Sequence, residues 1–264
     1  MYKRKIITQI FEVYDIICIY PERRKFMEKK LPIGTADFKK LIETNCYYKD
    51  KTKFIEDILN DGAEAYLFTR PRRFGNNTTL SILKYFFDIR NAEENRKLFK
   101  NLYIENSPAF SEQGKYPVIY ISFEDLKSDN FEEAIEDIKN IIFNLFNEFL
   151  YIREKLNEAE KNVFDFSWLM KGNISQLKFS LKNLCNFLEK YYSEKVIILI
   201  DEYDTPLVNA YRKGYYNDML NFFNVFYSSA LKDNEKLKFG VMTGIVKTTQ
   251  GEIIIDLNNL KTTL

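Results

Sequence analysis

Two short segments of this 264-residue chain carry side chains that could handle a phosphate and a divalent cation. The first is Arg70–Asn77, RPRRFGNN. The chain has ten Arg against 29 Lys, yet three of the ten fall within Arg70–Arg73. Guanidinium groups grip phosphate bidentately, so Arg70, Arg72 and Arg73, running through Gly75 and Asn76 to Thr78, suit an anion. The second segment is Ile197–Asp204, IILIDEYD, in which an apolar run ends in adjacent carboxylates. In nucleotide hydrolases an Asp at that place positions hydrated Mg²⁺ and a neighbouring Glu polarises the attacking water. Asp201 and Glu202 fill those places by type. A third segment, Thr243–Lys247 (TGIVK), offers a hydroxyl and, at Lys247, an ammonium that could reach a γ-phosphate. The plainer reading of Gly244 is a turn after a strand.

Composition removes most competing chemistry. His is absent, which excludes Ser-His and Cys-His nucleophiles and His-ligated zinc. The three Cys (Cys18, Cys46 and Cys185) are odd in number and widely spaced, so neither a disulfide framework nor a CxxC metal site is expected. A reducing, cytoplasmic setting is. With 39 Lys and Arg against 38 Asp and Glu the net charge is +1, and no global field draws the chain to nucleic acid or membrane. No apolar run approaches the ~20 residues that span a bilayer. The basic, partly apolar N-terminus has the outline of a signal peptide, but Glu12 and Asp15 interrupt it.

These segments need elements to bring them together. Short apolar runs at Ala65–Thr69, Pro117–Phe123, Val196–Ile200 and Leu237–Met242 read as strands. Helical periodicity over Thr79–Ile89, Glu132–Leu156, Gln176–Tyr192 and Tyr215–Leu231 separates them. Alternation of this kind predicts an α/β domain with a mainly parallel sheet flanked by helices on both faces. Ligands then bind beyond the carboxyl ends of the strands, where RPRRFG, DEYD and TGIVK all fall. Repeats, low-complexity tracts and linkers are lacking, so residues 31–264 are expected to be one domain after an N-terminal extension, 1–30. A Rossmann or flavodoxin-like sheet is the alternative, but G-x-G-x-x-G is missing after the first strand.

The order strand, anion loop, helix, acidic strand and polar turn is that of a P-loop NTPase. The residues resemble one family in particular: the AAA-ATPase-like proteins, prokaryotic P-loop NTPases commonly followed by a PD-(D/E)XK nuclease-like domain. The resemblance runs from LPIGTADF and YYKDKT (Leu31–Thr52) through RPRRFG, LSILKYFF, PVIYISF, LIDEYDTPL and MTGI to LNNL, about residues 31–260. It implies an AAA-like fold, ATP and Mg²⁺ as ligands, and the nucleotide, together with nucleic acid or a nuclease, as partners, with oligomerisation. It places nucleotide binding at Arg70, Arg72, Arg73, Phe74, Gly75, Asn76, Asn77 and Thr78, the metal at Asp201 and Asn77, and catalysis at Glu202 and Lys247.

The departures are informative. Family members read RPRRFGK followed by Ser or Thr, so Asn76 stands where the Lys belongs and Asn77 where the hydroxyl belongs. Losing one charge-assisted hydrogen bond costs ~1.5–3 kcal/mol, or roughly 10- to 150-fold in affinity. Transition-state stabilisation suffers more. Weakened hydrolysis is therefore expected, the alternative being a non-catalytic nucleotide-binding or protein-interaction module. Relative to the family, this sequence is expected to lack the nuclease-like region. Glu124–Lys127 (EDLK) gives a D-x-K string of the kind metal-dependent nucleases use, without a placed partner Asp. The charged DKT segment, Asp50, Lys51 and Lys53, is expected to be a solvated face or a cap. The aromatic run Ile141–Tyr151 is expected to pack in the core rather than to stack on bases.

Overall fold

The computed structural model describes residues 29–32, 34–69, 76–245 and 260–263. The strands among them are β1 Ala65–Thr69, β2 Val118–Ser122, β3 Val196–Asp201, β4 Leu237–Gly244 and β5 Leu260–Thr263. The helices are α1 Phe38–Glu43, α2 Lys53–Asp61, α3 Asn76–Phe87, α4 Ala92–Arg96, α5 Phe131–Glu148, α6 Glu158–Trp168, α7 Ile174–Leu177, α8 Ser180–Tyr192, α9 Thr205–Lys213 and α10 Tyr216–Leu231. The strands form one sheet in the order β2-β3-β4-β1-β5, and every neighbouring pair is parallel. Parallel neighbours require crossover connections, which the helices supply.

Strand alternation divides the core in two. Ile197 and Leu199 of β3 join Phe38, Ile55, Leu80, Leu83 and Phe86 under α1, α2 and α3. Val196, Ile198 and Ile200 point the other way, into the cluster of Ile138, Phe146, Leu184 and Phe223 from α5, α8 and α10. Residues facing either way are fully buried, which is why β3 reads as an unbroken apolar run. The expected α/β architecture of P-loop type, a parallel sheet with helices on both faces, is what the chain forms.

The differences lie at the ends of elements. The helix expected over Glu132–Leu156 stops at Glu148 and tightens into a 3₁₀ turn, Leu150–Lys155. Three residues per turn put Phe149 and Ile152, both fully buried, on one side. The helix expected over Gln176–Tyr192 is two, because Asn173 and Gln176 form a capping box on α7 and the Ser180 hydroxyl donates to Leu177 O at 2.8 Å between them. Strand β5, Leu-Lys-Thr-Thr, carries no apolar run. It exists because β1 offers it a parallel ladder, Ala65 opposite Leu260 through Phe68 opposite Thr263.

Two motifs turn out to hold the fold. Asp37 caps α1, its Oδ1 accepting the Lys40 N–H at 2.8 Å, while its Oδ2 accepts the Tyr85 hydroxyl at 2.9 Å from α3. Phe38 is fully buried and donates its N–H to Ser81 Oγ at 2.8 Å. In the DKT segment Asp50 Oδ1 accepts both the N–H and the hydroxyl of Thr52, at 2.8 and 2.7 Å, and Oδ2 accepts the Tyr103 N–H at 2.6 Å. Thr52 is fully buried and its Oγ1 also accepts the Ile104 N–H at 3.2 Å. The segment is thus a latch between the start of α2 and the turn at Tyr103–Asn106, while Lys51 and Lys53 are exposed. In Ile141–Tyr151, Ile142, Leu145, Phe146 and Phe149 are buried, as core packing requires.

Candidate functional site

Strand β1 precedes the arginine-rich segment in the chain and α3 follows it. Arg70, Arg72, Arg73, Phe74 and Gly75 lie outside the described residues, as does Lys247, but Thr69 and the backbone of Asn76 are described on either side of that segment. Thr69 lies opposite Gly244 in the β1–β4 register. Helix α3 then runs back against the sheet: at its far end Phe86 O accepts the Gly114 N–H at 2.8 Å and Asp88 bridges to Tyr116, just before β2. Its first turn, with Asn77 and Thr78 half-buried, therefore stands at the carboxyl ends of the strands. A helix N-terminus favours an anion through its dipole.

Asp201 ends β3 at that same edge. With β4 alone between β3 and β1, Asp201 and Thr69, the last residue of β1, are two strand spacings apart, ~10 Å. The parity of Ile197 and Leu199 sends Asp201 to the α3 face, and that of Phe239 and Val241 sends Thr243 there too. Asp201 is 1% exposed, a placement that is costly for a carboxylate unless it is hydrogen-bonded. Its Oδ1 accepts the Thr243 hydroxyl at 2.5 Å and its Oδ2 accepts the Tyr120 hydroxyl from β2 at 3.2 Å. Burial raises its pKa above the ordinary Asp value; the Thr243 and Tyr120 hydrogen bonds and the Glu202 backbone oppose the rise. Burial, followed by the charge of Asp201, raises the Tyr120 hydroxyl, so it stays a donor. The Lys84 ammonium of α3 sits 5.0 Å from the centre of the Tyr120 ring. Two fixed hydroxyl donors set the carboxylate's orientation and leave further lone pairs for a cation.

Beyond Asp201 the chain turns sharply. Glu202 has φ +52°, a left-handed backbone that costs a non-glycine residue about 1–2 kcal/mol. The turn is held from β4: Tyr203 N–H donates to Thr243 O at 3.0 Å, and Asp204 Oδ2 accepts the Ile245 N–H at 3.0 Å. Glu202 is half-buried and its Oε2 accepts the Thr205 hydroxyl at 3.0 Å. Gly244 is no turn residue. It is the last residue of β4, and a Cβ on it would lie 2.5 Å from Asp204 Oδ1 and 2.6 Å from Tyr203 Cε1. Nor is the Thr243 hydroxyl directed at a ligand in this structure, since it is fully buried on Asp201.

Sequence reasoning places Asp201, Glu202 and the opening of α3 on one edge, and the structure has them there. It passes over Tyr120, Asp204 and the need for glycine at 244. The signal for Tyr120 is the alternation Val118, Tyr120, Ser122 in β2, but its use requires knowing that β2 and β3 are neighbours. Among the described residues no group of three or more Cys, Asp or Glu could hold a metal unaided. Glu124, Asp125 and Lys127 of the D-x-K string are exposed beyond β2.

Residues 32–254 match the family described as Predicted AAA-ATPase. The chain belongs to that family. Family membership makes it an ATPase-like domain, and the matched region contains every element of the edge just described, from β1 to the end of β4. The AAA-ATPase-like chain is also 27% identical over 234 residues to a curated protein of Azotobacter chroococcum mcd 1, described as an uncharacterized protein in the vnfD 5' region. The alignment covers 88% of this chain and 40% of that protein, so the AAA-ATPase-like chain spans well under half of its relative's length. No solved structure matches it. Among the described residues no helix is long and apolar enough to cross a membrane.

Proposed function

We propose that this domain binds ATP with Mg²⁺ at the carboxyl edge of its sheet and hydrolyses it slowly. What supports the reading is the placement of Asp201: a buried carboxylate, oriented by the Thr243 and Tyr120 hydroxyls, on the face and edge where α3 begins. Arg70, Arg72 and Arg73, with the backbone of Phe74 and Gly75 and the first turn of α3, hold the phosphates. Asp201 and Asn77 hold the cation, which when bound neutralises charge on the transferred phosphoryl group. Glu202, steadied by Thr205, orients the water, and Lys247 meets the γ-phosphate. Asn76 and Asn77 put an amide where this chemistry uses an ammonium and a hydroxyl, so turnover falls further than binding. Action on nucleic acid or through a nuclease partner, and assembly with other copies, belong to this proposal as well.

The test is calorimetric titration of ATP with and without Mg²⁺, paired with phosphate-release assays on the parent and on the double variant Asn76→Lys, Asn77→Thr. Saturable, Mg²⁺-dependent heat and a rise in phosphate release of tenfold or more, about 1.4 kcal/mol, are expected. Absence of both would refute the nucleotide site. Binding with no gain in turnover would favour the second reading, a non-catalytic nucleotide-binding module, toward which the paired Asn already points.

A further inference from the structure

Away from the edge, the molecule leaves apolar side chains in a trough. One cavity of about 1020 Å³ lies between the first half of α5 and the start of α7, and a second of about 430 Å³ continues between α6 and the start of α8. Asn173 and Ser175 line both, so the two are one groove. Val163, Phe166, Ile174 and Phe179 line it while remaining 37–43% exposed. Clustered exposure of large apolar side chains marks an interaction surface. One wall is acidic: Glu132, Glu133, Glu136 and Asp137 of α5 are exposed there with a single base, Lys139, whose ammonium is 2.7 Å from Glu136.

The charge of that wall selects the occupant. A second copy docked by twofold symmetry would bring acid against acid. Anionic lipid headgroups and nucleic-acid phosphates would be repelled likewise. Because helices build the walls, the groove has the form that takes an amphipathic helix, anchored by apolar residues at i, i+3, i+4 and i+7. We propose that this groove docks a basic amphipathic helix of a partner protein, apolar face on Phe166 and Phe179, Lys and Arg toward α5. This inference is independent of the nucleotide site.

The probe is a labelled synthetic 18-residue helix of Leu at i, i+3, i+4 and i+7 spacing with Lys elsewhere, titrated by fluorescence anisotropy against the full chain. Saturable binding with Kd on the order of 1–10 μM is expected. It should weaken about tenfold or more in Phe166→Ser/Phe179→Ser, where two exposed anchors are lost, and in Glu132→Lys/Glu136→Lys, with circular dichroism showing both variants folded. The same composition in scrambled order and a Glu-for-Lys version should not bind. Equal affinity for the scrambled peptide, or indifference to both double variants, overturns the proposal. Concentration-dependent dimerisation abolished by Phe166→Ser/Phe179→Ser overturns it in favour of a second copy. Tighter peptide binding after deletion of residues 1–28 overturns it in favour of the chain's own N-terminal segment.

Discussion

Asp50 and Asp201 are both acids inside family-like motifs, and both gather donors from distant parts of the chain. Asp50 is exposed and accepts two backbone N–H groups and a hydroxyl, tying Thr52 to Tyr103 across fifty residues. Asp201 is buried, and the side chains that hold it are two hydroxyls, on β4 and β2. Removing Asp50 would release the three donors that tie Thr52 to Tyr103, whereas removing the charge of Asp201 would relieve a desolvation penalty. The fold is expected to depend more on the first acid than on the second, and a buried carboxylate kept despite its desolvation cost is what the proposed cation site requires.

Substitutions can break or sharpen that contrast. The largest effect is expected for Asp50→Ala, which should lower unfolding free energy by about 3 kcal/mol, since three hydrogen bonds to a charged acceptor vanish together. Urea denaturation measures it, and ATP titration of the folded variant should be unchanged; a stability loss under about 0.5 kcal/mol would dissolve the latch reading. Next is Gly244→Ala, expected to cost about 2 kcal/mol because the new methyl overlaps Asp204 and Tyr203. This loss should come with weaker Mg²⁺-ATP binding, linking both readouts at one residue.

Asp201→Asn inverts the pattern of Asp50. The raised pKa of Asp201 means that the folded chain holds a proton the unfolded chain has released, so stability falls as pH rises from the ordinary Asp value through the raised one. Asn has no charge to desolvate and should be as stable as the parent or about 1 kcal/mol more so at pH 7, with the advantage shrinking toward pH 3. Urea melts across that range read it, and calorimetry should show Mg²⁺ no longer strengthening ATP binding. A destabilised Asp201→Asn with intact Mg²⁺ dependence would make Asp201 another structural acid. The smallest effect is Tyr120→Phe, about 0.5–1 kcal/mol. Its signature is Mg²⁺ half-saturation that rises a few-fold and shifts toward higher pH, because Asp201 loses a partner that holds its pKa down.

Legibility in the sequence tracked how local each cause was. β3 was readable because both of its faces are covered and every residue from Val196 to Ile200 had to be apolar. Asp201 and Glu202 followed from where that run ends. The 3₁₀ tail after Glu148 and the break at Phe179 were not readable, since helical spacing continues through both and packing and caps decide the outcome. Strand β5 gave no signal, because its four residues make no apolar run and its reason for being a strand is a ladder on β1, almost two hundred positions away. Tyr120 as a partner of Asp201, and Gly244 as a gap for Asp204, belong to the same class: each is a relation between strands that the linear order conceals.

That late strand has a consequence for handling the chain. With β5 in place β1 is interior, and the sheet ends on four residues whose Lys261 is exposed and ion-paired to Asp61, a poor template for stacking. Clipping before Leu260 would leave the backbone of Ala65–Thr69, with Tyr66, Leu67 and Phe68, as a bare rim. Shortened versions would then be sticky rather than merely unstable, joining edge to edge through a strand that β5 otherwise covers.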